Sequence, residues 1–212
     1  MRDLAFAVDQ WNGEVRWTVD HPIPAHTFAL QGDHVIGQSA RGVSARDIRT
    51  GKVVWTTEIV ARSLIVTGDE VFLCNDLGVF VLDAATGARR RQLKVDCSGQ
   101  MLVSDRTLVT HTLGTIAAHD LEGKPRWRHR AANPVGLASY EDVLYFTTWT
   151  SVGMLHLGTG APIATVELPG SQYRGAPVVA AGRLYVTDHD GVSCYGDPAR
   201  SSIEGDATVP TR

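Results

Sequence analysis

Apolar and polar positions alternate with a period of two along most of the chain, in runs only four to seven residues long. "GVFVLD" (78–83), "HVIGQS" (34–39), "EVFLCND" (70–76), "RTLVTHT" (106–112), "VLYFTTW" (143–149) and "RLYVTDH" (183–189) are rich in β-branched and aromatic residues, the pattern of half-buried strands. Shorter runs precede them, including "SLIVTGD", "QMLVSD", "VGLASYED" and "APVVAAG". No segment of helical period and credible length interrupts the series. The pattern predicts an all-β chain.

The strands are punctuated by a recurrent turn. "ARDIRTGKVVW" (45–55) has counterparts in "AVDQWNGEVRW" (7–17), "VLDAATGARRR" (81–91) and "AHDLEGKPRW" (118–127), the last one residue shorter before its glycine. "LHLGTGAPIA" (155–164) is a degenerate fifth copy and "VSCYGDPARSS" (192–202) a fading sixth. Its glycines, Gly13, Gly51, Gly87, Gly123 and Gly160, lie 36 to 38 residues apart, and four residues after them come Trp17, Trp55, Arg91, Trp127 and Ala164. A fixed period of this length signals an array or a propeller. Within each copy the aspartate can accept backbone N–H groups two or more residues on and so start a turn. The glycine supplies positive φ, and the next strand delivers a large aromatic suited to a seam between units. Four short strands per unit make a propeller blade.

These residues resemble the quinoprotein-type, or PQQ-like, propeller repeat, whose tryptophan-docking pattern is Ala-x-Asp-x-x-Thr-Gly-Lys-x-x-Trp. Ala45, Asp47, Thr50, Gly51, Lys52 and Trp55 match it at every fixed position. Ala7, Asp9, Gly13 and Trp17 match in the first copy; Asp83, Thr86 and Gly87 in the third, where Arg91 replaces tryptophan; Ala118, Asp120, Gly123, Lys124 and Trp127 in the fourth; Thr159 and Gly160 in the fifth, which has His156 for aspartate. The resemblance implies that Asp9, Gly13, Trp17, Ala45, Asp47, Thr50, Gly51, Trp55, Asp83, Gly87, Asp120, Gly123, Trp127 and Gly160 fasten blades together and form no active site.

Four units look complete, over 28–58, 63–95, 100–130 and 136–168. The N-terminal strands "LAFAVD" and "EVRWTVD" and the C-terminal strands within 176–196 are expected to share a fifth blade. "LAFAVD" and "VSCYGD" are the same strand type, so a closed ring holds one strand too many. The N-terminal strand then either displaces its counterpart or pairs only with 14–20. An arc of a larger propeller is the alternative to a five-bladed ring. The repeat domain is expected over 1–198, and the polar, aperiodic segment 199–212 reads as a disordered tail.

Composition adds bounds. The chain of 212 residues is 43% hydrophobic and 20% charged, with net charge −3, which suits a globular domain and gives no nucleic-acid surface. The basic runs "ARRRQLK" (88–94) and "KPRWRHR" (124–130) read as solvated strand faces. Cys74, Cys97 and Cys194 are odd in number, widely spaced and outside any CxxC, which predicts idle thiols rather than a disulfide framework. No apolar run is long enough for a membrane span, and none at the N-terminus has signal-peptide form, which tilts the expected compartment toward the cytoplasm.

Catalytic chemistry finds little support. "DHD" (188–190) precedes Gly191 and reads as a hairpin turn. His119, beside Asp120, reads as a turn residue, and "HPIPAH" (21–26) as an inter-blade loop. No GxSxG, P-loop, HExxH or GxGxxG occurs. Some proteins of the resembled family are quinone-dependent dehydrogenases with Ca2+ and a vicinal disulfide at the ring centre; no two cysteines are adjacent here, and no carboxylate and amide set suggests calcium. No catalytic residue, cofactor or metal site is assigned. The resemblance implies a non-enzymatic bacterial propeller acting as a protein-interaction scaffold, as in outer-membrane assembly, or as a ligand-sensing module, as on serine/threonine kinases. A degenerate quinoprotein dehydrogenase is the alternative. The expected partner is a protein or small ligand at the loop face, with Trp149 the candidate contact, and unpaired blade edges give a route to self-association.

Overall fold

The computed structural model describes residues 4–20, 28–39, 41–168, 175–187 and 191–196. These residues form 21 strands in six antiparallel sheets and no helix. The four complete sheets, blades 1 to 4, have the expected boundaries. Blade 1 contains β3 (Phe28–Gln31), β4 (His34–Ser39), β5 (Gly42–Asp47) and β6 (Val53–Thr57); blade 2, β7 (Ser63–Thr67), β8 (Glu70–Asn75), β9 (Gly78–Asp83) and β10 (Arg89–Leu93). Blade 3 contains β11 (Met101–Ser104), β12 (Thr107–Thr112), β13 (Thr115–His119) and β14 (Pro125–Arg130); blade 4, β15 (Gly136–Tyr140), β16 (Val143–Thr147), β17 (Ser151–His156) and β18 (Pro162–Glu167). In each blade the strands follow chain order, so every connection within it is a hairpin.

The first strand of each blade abuts the first strand of the next, which places β3, β7, β11 and β15 innermost. Core residues lie between sheets. Ile36, Val43 and Ala45 of blade 1 pack with Leu64, Val71 and Leu82 of blade 2, and Val109, Ile116 and Ala118 of blade 3 pack with Leu137, Leu144 and Leu155 of blade 4. The period-two alternation supplies both faces of each middle strand, as in β8, where Val71 to Cys74 are all buried.

The terminal pieces correct the expected split blade. β1 (Leu4–Val8) pairs with β2 (Val15–Asp20), while β19 (Val178–Ala180), β20 (Arg183–Thr187) and β21 (Val192–Tyr195) form a separate three-stranded sheet. No ladder joins the two pieces among the described residues. Strand type explains this. β1 and β2 are the third and fourth strands of a blade; β19 to β21 are the first three. Each piece packs on its chain neighbour: Trp17 of β2 against Gly51 beyond β5, and Leu184 and Val186 of β20 with Val152 of β17. The sheets are therefore not closed into a ring, and the arc reading fits. The segments 21–26, 188–190 and 199–212, with the turn, loop and tail expected there, lie outside the described residues.

Candidate interaction surface

Each of the four repeat turns that have an aspartate is closed from it, and the fifth is closed by Gly160 N–H donating to the His156 carbonyl. Asp47 Oδ1 accepts from the Thr50 N–H at 2.8 Å, the Arg49 N–H at 3.1 Å and the Thr50 hydroxyl at 2.8 Å, and Gly51 N–H donates to the Asp47 carbonyl at 2.9 Å. Asp83 repeats this with Ala85 and Thr86. Asp9 accepts from the N–H groups of Trp11 and Asn12. In the shortened turn Asp120 accepts from Glu122 and Lys124 instead. The Thr86 hydroxyl and then the Arg90 guanidinium hold the Asp83 carboxyl down at about 2. These carboxylates are consumed in turn closure. A β-bulge follows between the third and fourth strands of every complete blade, turning the fourth strand toward the neighbour.

That strand delivers the seam residue. The Trp17 indole N–H donates to the Ile48 carbonyl at 2.8 Å, Trp55 to Ala84 at 3.0 Å and Trp127 to Leu157 at 2.7 Å. The acceptor is always the residue after the aspartate position of the next blade. Trp55 is 7% exposed, while Trp17 and Trp127 are half-buried. Alanine stands directly across the ladder from each indole, in the pairs Ala7–Trp17, Ala45–Trp55 and Ala118–Trp127, where a small side chain leaves room for the ring. The glycines have a second task besides their φ near +70°. A Cβ at Gly51, Gly87 or Gly160 would lie 2.6 to 2.8 Å from Cδ2 of Trp17, Trp55 or Trp127. At Gly123 the nearest atom is Leu93 Cβ at 3.2 Å.

Between blades 2 and 3 the seam differs. Arg91, in the tryptophan position, donates to the Leu121 carbonyl from Nε at 3.2 Å and Nη2 at 3.0 Å, and its Nη2 lies 3.0 Å from Glu70 Oε2. Arg91 holds the Glu70 carboxyl below its ordinary range, and Glu70 raises the Arg91 pKa in turn. This corrects the reading of "ARRRQLK" as a solvated face: Arg91 uses the same acceptor position as the tryptophans. The reading of the cysteines is also corrected. Cys74 of β8 is bonded to Cys97, between β10 and β11, with Cα atoms 6.1 Å apart, and only Cys194 is free. Sequence spacing concealed this, because the chain doubles back through two strands within the sequence separation of 23. His119 is the third correction. It ends β13 rather than sitting in the turn, and it is buried at 9% exposure.

The hairpins joining second to third strands project together on one face. Their tips carry Leu77 in blade 2, Leu113 in blade 3 and Trp149 in blade 4, exposed at 70%, 77% and 56%. Trp149 is held outward by a tight turn. Thr148 Oγ1 accepts from the N–H groups of Thr150 and Ser151 and lies 2.8 Å from the Ser151 hydroxyl. A cleft of about 380 Å3 beside Leu77 is lined by Asp76, Lys94, Asp96 and Ser98. A second apolar surface flanks β1, where Phe6, Trp11, Phe28 and Leu30 border a groove of about 840 Å3. Among the described residues no group of three or more His, Cys, Asp or Glu side chains is placed to hold a metal ion, and no helix is long and apolar enough to cross a membrane. Each tip residue is solitary in sequence; only its place in the second-to-third-strand hairpin could have marked Leu77 and Leu113 with Trp149.

The family described as "Outer membrane protein assembly factor BamB" matches residues 2–143. BamB from Moraxella catarrhalis superposes with a TM-score of 0.71 at 23% identity, over 91% of this chain and 64% of that one. The computationally designed Ika8 protein gives 0.74 at 16% identity, over 89% of this chain and 64% of that one. The designed Ika4 protein gives 0.54 at 17% identity, over 64% of this chain and 89% of that one. The chain thus spans about 64% of the length of the first two. At these identities the likeness shows the fold alone. No curated protein matches.

Proposed function

We propose, from the premise that this chain belongs to the PQQ-like β-propeller family described as outer membrane protein assembly factor BamB, that it is a non-enzymatic scaffold that binds another protein through its second-to-third-strand hairpin face. The carrying observation is the row Leu77, Leu113 and Trp149: a large apolar side chain stands exposed in the same hairpin of three consecutive blades. A single exposed leucine is ordinary on a protein surface; an aligned set backed by rigid sheets is a binding feature. An aromatic on a pinned turn brings contact area with little ordering cost. The name BamB, an assembly factor, agrees with this reading. The Cys74–Cys97 disulfide favours an oxidising compartment.

The quinone-dehydrogenase alternative gains nothing from the disulfide, whose cysteines are 23 residues apart rather than vicinal. Pyrroloquinoline quinone with Ca2+ should give neither saturable binding nor alcohol-dependent dye reduction; either signal contradicts the scaffold reading.

The scaffold reading is tested with the triple variant Leu77→Glu, Leu113→Glu, Trp149→Ala. These side chains point to solvent, so its thermal melt should match the parent. Immobilised parent protein should retain a defined protein from an envelope extract that the variant fails to retain. Equal retention by both overturns the assignment of this face.

A further inference from the structure

Blade 3 differs from the other complete blades along its outer strand. On β14 the side chains of Trp127 and His129 turn toward blade 4: the indole is bonded to the Leu157 carbonyl, and the imidazole centroid lies 6.1 Å from that of Phe146. Arg128 and Arg130 alternate with them and so belong to the opposite face. Arg126, at the bulge, lines the same cleft as Arg128. All three arginines are exposed. Counted from the seam position, their counterparts are Val54, Thr56 and Glu58 in blade 1, Arg90, Gln92 and Lys94 in blade 2, and Ile163, Thr165 and Glu167 in blade 4. Of the four complete blades, blade 3 alone places three cations there.

The surrounding chain leaves these charges unanswered. In blade 2, Arg90 is held by Asp83 at 2.5 Å, Asp69 at 2.7 Å and Glu70 at 3.3 Å. In blade 3 the places of Asp69 and Glu70 are taken by Arg106 and Thr107, and Arg126 donates to the neutral Thr107 hydroxyl at 2.6 Å instead. Across the ladder Arg128 faces Ala117 and Arg130 faces Thr115. Among the described residues none of the three arginines forms an ion pair. The adjoining cleft brings a single carboxylate, Asp96, against Arg126 and Arg128. A row of unneutralised cations on a chain of net charge −3 attracts an anion. Protection of a strand edge against aggregation does not account for the row, because the outer strands β6 and β18 carry no cation.

Spacing narrows the anion. Side chains at alternate strand positions stand about 7 Å apart, the spacing of alternate residues in any other extended chain. β14 is hydrogen-bonded to β13 alone among the described residues, so its outer N–H and C=O groups are open to one more strand. We propose that the outer edge of blade 3 takes up an extended acidic segment of a partner protein, which pairs with β14 as an added strand and sets carboxylates at alternate positions against Arg128 and Arg130, with Arg126 at the end of the row. Opposite charges directly across a ladder stabilise the pair, and a guanidinium can take a carboxylate through two parallel hydrogen bonds. The surface stands independently of the scaffold reading, since the hairpin tips carry none of these residues.

The probe is the fluorescein-labelled peptide Thr-Glu-Val-Glu-Val-Glu-Thr, titrated with the full chain and followed by fluorescence anisotropy. Its isomer Thr-Val-Val-Glu-Glu-Glu-Thr keeps the charge without the alternation, and its glutamine counterpart keeps the alternation without the charge. The alternating acidic peptide should bind saturably and roughly tenfold more tightly than either control. Arg128→Glu with Arg130→Glu alters two exposed side chains, so its melt should match the parent. That variant should bind the acidic peptide at least roughly tenfold more weakly, and should bind Thr-Lys-Val-Lys-Val-Lys-Thr more tightly than the parent does. If it does not fold, Arg128→Gln takes its place and should weaken binding of the acidic peptide by roughly threefold. Four results overturn the proposal: no saturable binding of the alternating peptide; equal affinity for the block isomer, as for a surface that takes any polyanion; equal affinity for the glutamine peptide; or undiminished affinity in the folded variant.

Discussion

At Trp55 a single side chain meets three constraints at once. Its indole N–H is bound to Ala84, its ring lies against Gly87, and Ala45 stands across the ladder. Trp55→Ala leaves a cavity in a seam that is otherwise closed, and should cost about 3–5 kcal/mol by denaturant melt. A loss below about 1 kcal/mol, the scale of ordinary surface changes, would show that the indole is not a fastener. The buried histidines set an acid-side dependence. Burial is the larger influence on both His111 and His119 and lowers each pKa below the ordinary value of 6.5. With the folded pKa depressed, the unfolded chain takes up the proton first. Stability should therefore be full above about pH 6.5, fall as pH drops through that value, and level off below the folded pKa. Urea midpoints at about pH 7.5 and about pH 5 measure this slope. Asp83, with its folded pKa at about 2, adds a slope only at still lower pH: its stabilising contribution is full above the unfolded value of 3.8 and is lost as pH falls from there through about 2. His111→Phe with His119→Gln should flatten the slope; an unchanged slope would place its origin elsewhere.

The blade was legible as an element because its signal is local. Asp, Gly and Trp at fixed offsets each answer a need within about ten residues of chain, and the four-strand boundaries followed from alternation alone. What escaped the reading depends on residues brought together from different blades. The contact of Gly51, Gly87 and Gly160 with the preceding blade's tryptophan is one example, since φ alone had accounted for the glycine. Arg91 is another. Among "RRR" nothing distinguishes the arginine that reaches Leu121 from its neighbours until the bulged register is known. The Cys74–Cys97 bond belongs to the same class. It crosses the one full-blade seam that has an arginine in place of tryptophan, and Cys97→Ser should lower stability by about 2–4 kcal/mol under oxidising conditions, with no effect once the parent is reduced. If parent and variant melt alike without reductant, the bond does not form in solution.

The described residues form an open series of blades. Among the described residues β1 is paired only with β2, and β21 only with β20, so each outer blade offers one edge with unpaired N–H and C=O groups. Such edges invite further strands. Phe6 and Val192, exposed on them, make association apolar as well as hydrogen-bonded. Light scattering on this chain should show concentration-dependent oligomers that Phe6→Lys with Val192→Lys suppresses; a monomer at every concentration would mean that the edges are covered. Between these ends lies the hairpin face proposed to bind a partner, its apolar tips carried on short turns between sheet strands rather than on one long loop. Its role is tested most directly by photo-crosslinking. p-Benzoylphenylalanine at positions 77, 113 and 149 should each capture the same protein from an envelope extract, whereas at 53 and 163, exposed on the outer strands of blades 1 and 4, it should capture none of it. Capture from the outer-strand positions, or no common product from the three tips, would contradict the account.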